Sequence, residues 1–255
     1  MTNAMRGTCG QKVLMIESRT TAMKTGPPGT SNFTVALDNY SLLFQGAEAR
    51  IYSGTLPTSG KDAIAKHRFP KEYRHPALDR QIRQRRTRAE ARALEAAHAA
   101  GLTVPSVLYV DEPNGCIYMS WIRDSSVSTH LADSTDLLFD EAFAELVGST
   151  IARLHMARIV HNDLTTSNLL YNRDERRLSV IDFGLASRSP ITPETMAVDL
   201  YVFQRSILAL CGPCPFFETV LKFYVCYMDE HSGDKGQGQK ILTQLEQVQG
   251  RGRKK

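Results

Sequence analysis

The stretch HNDLTTSN, His161 to Asn168, decides the fold of this chain. It directly follows DEAFAELVGSTIARLHMA (140–157), in which Phe143, Leu146, Val147, Ile151 and Leu154 fall on one stripe of a helix. It leads into LLY and LSVIDF, which read as a strand pair around the charged turn NRDERR (172–177). Asp163 therefore sits on a loop between a helix and a strand. Asn168 follows five residues later, and Asp182 closes the second strand. Upstream, Lys66 stands in AIAKHRF, a predicted strand, and Glu90 in a long predicted helix.

Taken in this order, these side chains match what phosphoryl transfer asks of a protein. The phosphates must be held in line, their charge offset, and the attacking hydroxyl positioned. Asp163 can accept the hydroxyl proton or orient that hydroxyl. Asn168 can turn back to ligate Mg2+, which prefers hard oxygen donors, and Asp182 supplies a carboxylate between metal and phosphates. Lys66 gives a compact positive charge for the non-transferred phosphates, and an ion pair to Glu90 would fix it. Gly46, in the turn between two predicted strands, lets the backbone approach a nucleotide with no side chain in the way. No single piece is specific, since a DFG tripeptide arises by chance and a lone strand lysine is usually an edge residue. Their order and spacing together point to ATP, Mg2+ and a kinase-like fold.

Working outward, YSLLFQGA and ARIYSGTL read as strands joined at Gly46, and DAIAKHRF as a third. Asp79 to Ala100 is rich in helix formers and stops at Gly101. VPSVLYVDEPNGCIYMSWI gives two further strands about a turn at Pro113, Asn114 and Gly115. Mostly helical segments fill the rest. Strands and one helix first, then helices, is an α+β pattern. It predicts a bilobal, protein-kinase-like fold with a strand-rich N-lobe (38–122) and a mostly helical, shortened C-lobe (123–249). Residues 1–37, rich in Thr, Gly, Ser and Pro, are expected to form a disordered extension, and 250–255 a basic C-terminal tail.

Composition excludes several classes. With 42% hydrophobic and 23% charged residues this is ordinary globular material, and no apolar run approaches bilayer length, so no membrane is expected. Five cysteines do not read as a disulfide framework. The CGPC motif, Cys211 to Cys214, follows an apolar helical stretch and precedes Pro215, so it is expected to be a helix end and a turn rather than a redox pair. The net charge of +4 is uneven: ten Lys or Arg against three acids lie between Lys66 and Arg92, and the chain ends in RGRKK. Such patches suit phosphate-bearing partners, and Arg83, Arg85 and Arg86 are the candidate contacts on the predicted helix. A solvated helix face is the plainer alternative.

The segments QGAEARIY, IAKHRFPKEYRHPALD, RRTRAEARAL, HNDLTTSNLL, IDFGL, PETMAVDLYV and RGRKK, spread over 45–255, resemble the small atypical kinases of the KEOPS complex, the PRPK family. The resemblance implies ATP and Mg2+ binding and serine/threonine kinase and ATPase activity. It implies work within a complex that installs threonylcarbamoyl-adenosine in tRNA, beside a transferase subunit and a small regulatory subunit, in the cytoplasm, the nucleus or both. A protein substrate is a further implied partner. It also fits an absence: Pro193 and Glu194 follow soon after Asp182, leaving no room for a long activation loop. The tail is implied to reach the transferase subunit through Arg251 and Arg253, with Gly250 and Gly252 as bends.

Departures from the family pattern are Asn162, where glycine is usual, Ser120 and Trp121, where acids are usual, and Gln249 and Gly250 near the tail. Thr165, Thr166 and Ser167 stand where many protein kinases place a lysine, which fits slow or unusual chemistry. Asp199, a lone carboxylate on an apolar helix, is expected to be a buried anchor for the catalytic loop, and His161 to be structural. The competing readings are a catalytically silent scaffold of the same complex and a small-molecule phosphotransferase, whose loop also reads HxDxxxxN.

Overall fold

The computed structural model describes residues 37, 40–56 and 59–252. The expected extension lies outside them except for Leu37, as do Arg253, Lys254 and Lys255 of the tail. Strands β1 (Ser41–Gln45), β2 (Arg50–Thr55) and β3 (Asp62–His67) form an antiparallel meander. After helix α1 (Pro76–Ala99), strands β4 (Val107–Asp111) and β5 (Cys116–Ser120) complete a sheet of order β1-β2-β3-β5-β4. Alternation along the strands sets its two faces. Ala63 and Ala65 of β3 join Cys116, Tyr118, Tyr40 and Leu56 in a small core on one side. Ile64, Ile117 and Met119 turn the other way, towards α1 and the main core.

Helix α1 begins at Pro76, three residues before the expected Asp79, because proline's fixed φ and missing N–H suit a first helical turn. It ends where expected. The Gly101 N–H bonds to the His98 carbonyl at 2.9 Å and the Leu102 N–H to the Ala97 carbonyl at 3.1 Å, a Schellman closure with Gly101 at φ +73°. Its buried stripe, Thr87, Glu90, Ala91, Leu94 and Ala97, is built mostly of small residues.

The basic face of α1 needs correction. Arg83 pairs with Asp79 at 2.7 Å, and Arg86 pairs with Glu48. Of the three candidate contacts only Arg85 is exposed and without an ion pair among the described residues. Arg92 shares its face, two turns further on.

The second lobe carries a short sheet, β6 (Ser125–Ser126), β7 (Leu169–Asn172) and β8 (Arg177–Val180), in that order. Five helices accompany it: α2 (Val127–Asp133), α3 (Glu141–Met156), α4 (Pro193–Cys211), α5 (Phe216–His231) and α6 (Gln237–Gly252). Sequence reading had not separated β6 and α2. The stripe expected on α3 is buried, with Leu146 only partly so. Helix α3 crosses α5 closely at Gly148, where a Cβ would lie 2.6 Å from the Val220 carbonyl oxygen and 2.9 Å from the Tyr224 nitrogen. Gly148→Ala is therefore expected to cost about 1–3 kcal/mol through a forced backbone shift. A urea unfolding curve tests this, and an unchanged midpoint would show that the two helices separate freely.

Two motifs resolve differently. Cys211 ends α4, Gly212 caps it, and Cys214 lies in the turn before α5, the helix end and turn expected of CGPC. The tail expectation is corrected: Gly250 and Gly252 are helical rather than bends, because α6 continues through them. Ile241, Leu245 and Val248 seat α6 on the core, and this packing outweighs the poor helix propensity of glycine. Gln249 donates to Gln204 at 2.9 Å, and Arg251 pairs with Glu194 at 2.7 Å. No described helix is long and apolar enough to cross a membrane.

Candidate active site

The N-lobe contributes a buried ionic cluster. Lys66 lies on β3 opposite Ile51 of β2 and Ile117 of β5, pointing away from the small outer core. Its Nζ lies 2.8 Å from Glu90 Oε1 and 2.5 Å from Asp182 Oδ1. Glu90 projects from the buried stripe of α1, its side chain only 1% exposed, and its second oxygen pairs with Arg68. Burial works to lower the Lys66 ammonium, but the Glu90 and Asp182 carboxylates outweigh it and raise the group above its ordinary value. For Asp182 partial desolvation works upward, while Lys66 and the Gly184 N–H hold the carboxyl below the usual carboxylate value. Arg68 was missed by sequence reasoning. Its signal was the spacing K-x-R at the end of a strand, which sets Lys66 and Arg68 on the same side.

The C-lobe contributes a loop fixed from beneath. Asp199 on α4 is fully buried and accepts hydrogen bonds from the backbone N–H of His161 at 2.5 Å and of Asn162 at 2.7 Å. Its Oδ2 also lies 3.3 Å from His155 Nε2, and the other ring nitrogen of that histidine meets the Tyr224 hydroxyl at 2.8 Å. This is the anchor that the lone carboxylate on an apolar helix suggested. His161 is buried, with its Nε2 3.0 Å from the Ile181 carbonyl and its ring against Phe183. Asn162 has φ +62°, a left-handed conformation that glycine adopts freely and asparagine tolerates better than most residues. The departure from glycine thus keeps the loop geometry. It also adds a hydrogen bond from the Asn162 carboxamide to the Leu185 carbonyl at 3.0 Å.

Asp163 follows and faces the cleft. Asn168 Nδ2 donates to the Asp163 carbonyl at 2.8 Å and to Asp163 Oδ2 at 3.1 Å, so the two ends of HNDLTTSN are tied together. Asp182 sits just past β8 in a left-handed conformation, φ +60°, and its Oδ1 accepts from the Gly184 N–H at 3.1 Å. Gly184 has no room for a side chain: a Cβ there would meet Asp182 Oδ1 at 3.0 Å, Lys66 Nζ at 3.1 Å and Arg68 Nη2 at 3.3 Å. Ten residues, 183–192, then lead to α4, bridged back to the loop by reciprocal Val160–Ser187 backbone bonds of 2.9 and 2.8 Å. The activation segment is as short as the sequence suggested.

The cleft between the lobes has two connected halves. One, about 380 Å3, is lined by Gly46, Lys66, Arg68, Arg86, Asp163 and Asp182, among others. The other, about 270 Å3, is mostly apolar, with Ile64, Met119, Trp121 and Leu170 beside Asn168 and Asp182. Ile51, Lys66 and Asp182 line both and mark the middle. Ser120 borders the apolar half and accepts from the Ser106 N–H at 2.9 Å, while Arg123 stacks 3.8 Å from the centroid of Trp121. The β1–β2 turn carrying Gly46 is strapped down where Lys71 donates to the Ala47 carbonyl and Arg86 pairs with Glu48. All six residues singled out from the sequence, Gly46, Lys66, Glu90, Asp163, Asn168 and Asp182, border this one cleft.

The donor set suits a hard cation. Asn168 uses its amide nitrogen on Asp163, leaving Oδ1 without a hydrogen bond among the described residues. Asp182 uses Oδ1 on Lys66 and Gly184, leaving Oδ2 likewise. Two free oxygens, from residues just before β7 and just past β8, fit Mg2+, which takes few protein ligands and keeps several waters.

The RIO domain family matches residues 59–196, the segment holding Lys66, Glu90, Asp163, Asn168 and Asp182. The chain is 37% identical to the mouse EKC/KEOPS complex subunit Tp53rkb (Mus musculus) over 228 residues, 86% of this chain and 89% of the relative. It is 35% identical to the EKC/KEOPS complex subunit bud32 of Dictyostelium discoideum over 92% of this chain and 93% of that one. The chain belongs to the KEOPS small-kinase family. The Rio2 kinase–ADP/Mg2+–phosphoaspartate complex from Chaetomium thermophilum superposes with a TM-score of 0.54 over 83% of this chain and 72% of that chain. At 16% identity this likeness speaks for the fold: an α+β, protein-kinase-like architecture. The family kinship carries further than the fold alone, since it spans nearly the whole of both chains.

Proposed function

We propose that this protein is an ATP- and Mg2+-dependent serine/threonine phosphotransferase and ATPase. It acts as a subunit of a KEOPS-type complex that supports threonylcarbamoyl-adenosine modification of tRNA. The observation that carries the chemistry is the convergence of Lys66, Glu90 and Asp182 on one side of a cleft whose other side presents Asp163 and Asn168. Complex membership rests on the kinship with the EKC/KEOPS subunits.

The roles follow from placement. The apolar half, with Met119 and Trp121, takes the adenine, and Ser120 and Trp121 border it where acidic side chains are usual in the family. Lys66, held by Glu90, binds the inner phosphates at the middle of the cleft. Gly46 lets the strapped turn lie close over them. Asn168 Oδ1 and Asp182 would hold Mg2+, which when bound offsets charge building on the phosphate oxygens. Asp163 orients the attacking hydroxyl or water and accepts its proton, the Asn168 amide fixing its carboxylate.

Asp182→Ala is expected to lower turnover and also to weaken Mg2+-nucleotide affinity by about tenfold or more, because it removes a metal ligand and a partner of Lys66 together. Calorimetric titration with Mg2+ and nucleotide checks this; wild-type affinity in the variant would remove Asp182 from the site. The complex-level reading is tested by ATP turnover with and without the transferase subunit, and with tRNA added. Turnover indifferent to both additions would leave a free-standing kinase.

The same kinship implies tRNA as a partner, and the exposed arginines of α1 are the surface for it. Reversing Arg85 and Arg92 to Glu is expected to reduce the slope of log affinity against log salt by roughly one to two, as two phosphate contacts are lost. Reversal of Arg83 and Arg86 would confound that test by breaking pairs to Asp79 and Glu48. An unchanged slope in the Arg85/Arg92 variant would mark this face as merely solvated.

A further inference from the structure

The outer half of the cleft holds more positive charge than the roles above use. Lys66, Arg68 and Arg86 all line it. Lys66 is engaged by Glu90 and Asp182, and Arg86 by Glu48. Arg68 is different. It is only 4% exposed, and its Nη2 pairs with Glu90, yet its Nη1 is buried with no hydrogen-bond partner among the described residues. A charged donor left buried and unpaired is costly, and native proteins rarely tolerate one without a use for it.

The position of Arg68 is also fixed. Its N–H bonds to the Gly115 carbonyl at 2.9 Å, and its own carbonyl accepts from Arg83 Nη1 at 3.4 Å. Its Nη2, the nitrogen that pairs with Glu90, reaches the spot beside Gly184 where Lys66 Nζ and Asp182 Oδ1 also arrive, all three within 3.3 Å of one point. The layout of the cleft then separates the two basic groups. Lys66 lines both halves and so stands at the middle, while Arg68 lines only the outer half, with Asp163. A nucleotide whose base fills the apolar half passes its inner phosphates by Lys66 and ends its phosphate chain near Arg68 and Asp163.

We propose that Arg68 is a nucleotide-binding residue that takes the terminal, transferable phosphate of ATP, leaving the inner phosphates to Lys66. The inference rests on the ATP-dependent reading of this cleft and names the group that distinguishes ATP from ADP within it. A guanidinium is suited to the task because its planar fork can hold a carboxylate along one edge and phosphate oxygens along another, which a lysine cannot do. Glu90 thereby aligns two cations at once, one through each carboxylate oxygen.

The test compares two ligands on the full-length protein with Mg2+: ADP and a non-hydrolysable ATP analogue. In Arg68→Met, affinity for the ATP analogue is expected to fall roughly 10- to 100-fold, the loss of one charge-assisted contact, with ADP affinity nearly unchanged. Arg68→Lys keeps the charge and a partner for Glu90, and is expected to lose roughly three- to tenfold for the ATP analogue alone. If Arg68→Met does not fold, Arg68→Lys decides. Equal losses for both ligands would overturn the proposal, since they would show that Arg68 acts only by holding Glu90 and Lys66 in place. Unchanged affinities would overturn it as well. Wild-type protein that binds neither ligand would instead overturn the ATP-dependent reading, and this proposal with it.

Discussion

Asp163→Asn is expected to keep the fold and nucleotide binding while lowering ATP turnover by about two to four orders of magnitude, the usual contribution of a positioned general base. The substitution is nearly isosteric. The Asn168 amide still finds the Asp163 backbone carbonyl at 2.8 Å, so the loop keeps its closure when the carboxylate is lost. Asp163 has no hydrogen bond or ion pair to Lys66 or Glu90, whose own ion pair therefore stays in place to hold phosphates. The expected signature is a fall in kcat with little change in nucleotide affinity, the pattern of an interaction made mainly in the transition state. Steady-state turnover, with calorimetry for binding, checks both halves. Near-normal turnover would remove Asp163 from the role of base.

Asp199→Ala should have the largest effect on stability. It orphans two backbone donors, those of His161 and Asn162, and takes a partner from His155; Asp199, His155 and His161 are buried, and the bond to Asn162 is partly so. Each unsatisfied buried donor costs about 1–3 kcal/mol, so a loss of about 2–5 kcal/mol is expected. For a domain of this size that corresponds to a fall in Tm of roughly 10 °C. Asp199→Asn keeps one acceptor oxygen and is expected to lose about half as much. Because the same bonds set the loop that carries Asp163, turnover should fall even below the melting transition. A thermal melt within about 1 °C of wild type would show that water replaces the carboxylate and that the anchor is dispensable.

The two variants separate two functions of one short segment. In the proposed mechanism the side chain of Asp163 does the chemistry, while the backbone one and two residues earlier is what Asp199 holds. Asn162 couples them through its left-handed conformation and its bond to the Leu185 carbonyl, which ties the catalytic loop to the segment after Asp182. With only ten residues before α4, that segment is short and held by backbone bonds to Val160. Glu90 is likewise clasped by Lys66 and Arg68 at once. These contacts, all within the chain, hold the two sides of the site together.

What was legible in the sequence was local or periodic. The spacing within HNDLTTSN, the stripe on α3, the alternation that turns Lys66 away from the outer core, and the Gly101 stop of α1 each follow from a few neighbouring residues. Their physics acts over one or two turns of chain. Asp199 was legible for a related reason, since a carboxylate on an apolar helix must find donors. The Asp79–Arg83 pair was legible too, as an i,i+4 match, although the arginine was read as a surface contact.

Only the tertiary structure decided the rest. Whether Arg86 is free for a partner depends on Glu48, 38 residues away, and whether Arg68 matters depends on Glu90 and on the space beside Gly184. The helical state of Gly250 to Gly252 ran against their propensity, because Ile241, Leu245 and Val248 anchor α6 on the core and the helix continues past them. Local sequence thus determined which elements form and which residues come to border the cleft. The pairing of charges across the chain, which decides whether a given arginine is a strut or a ligand contact, was set by how those elements came together.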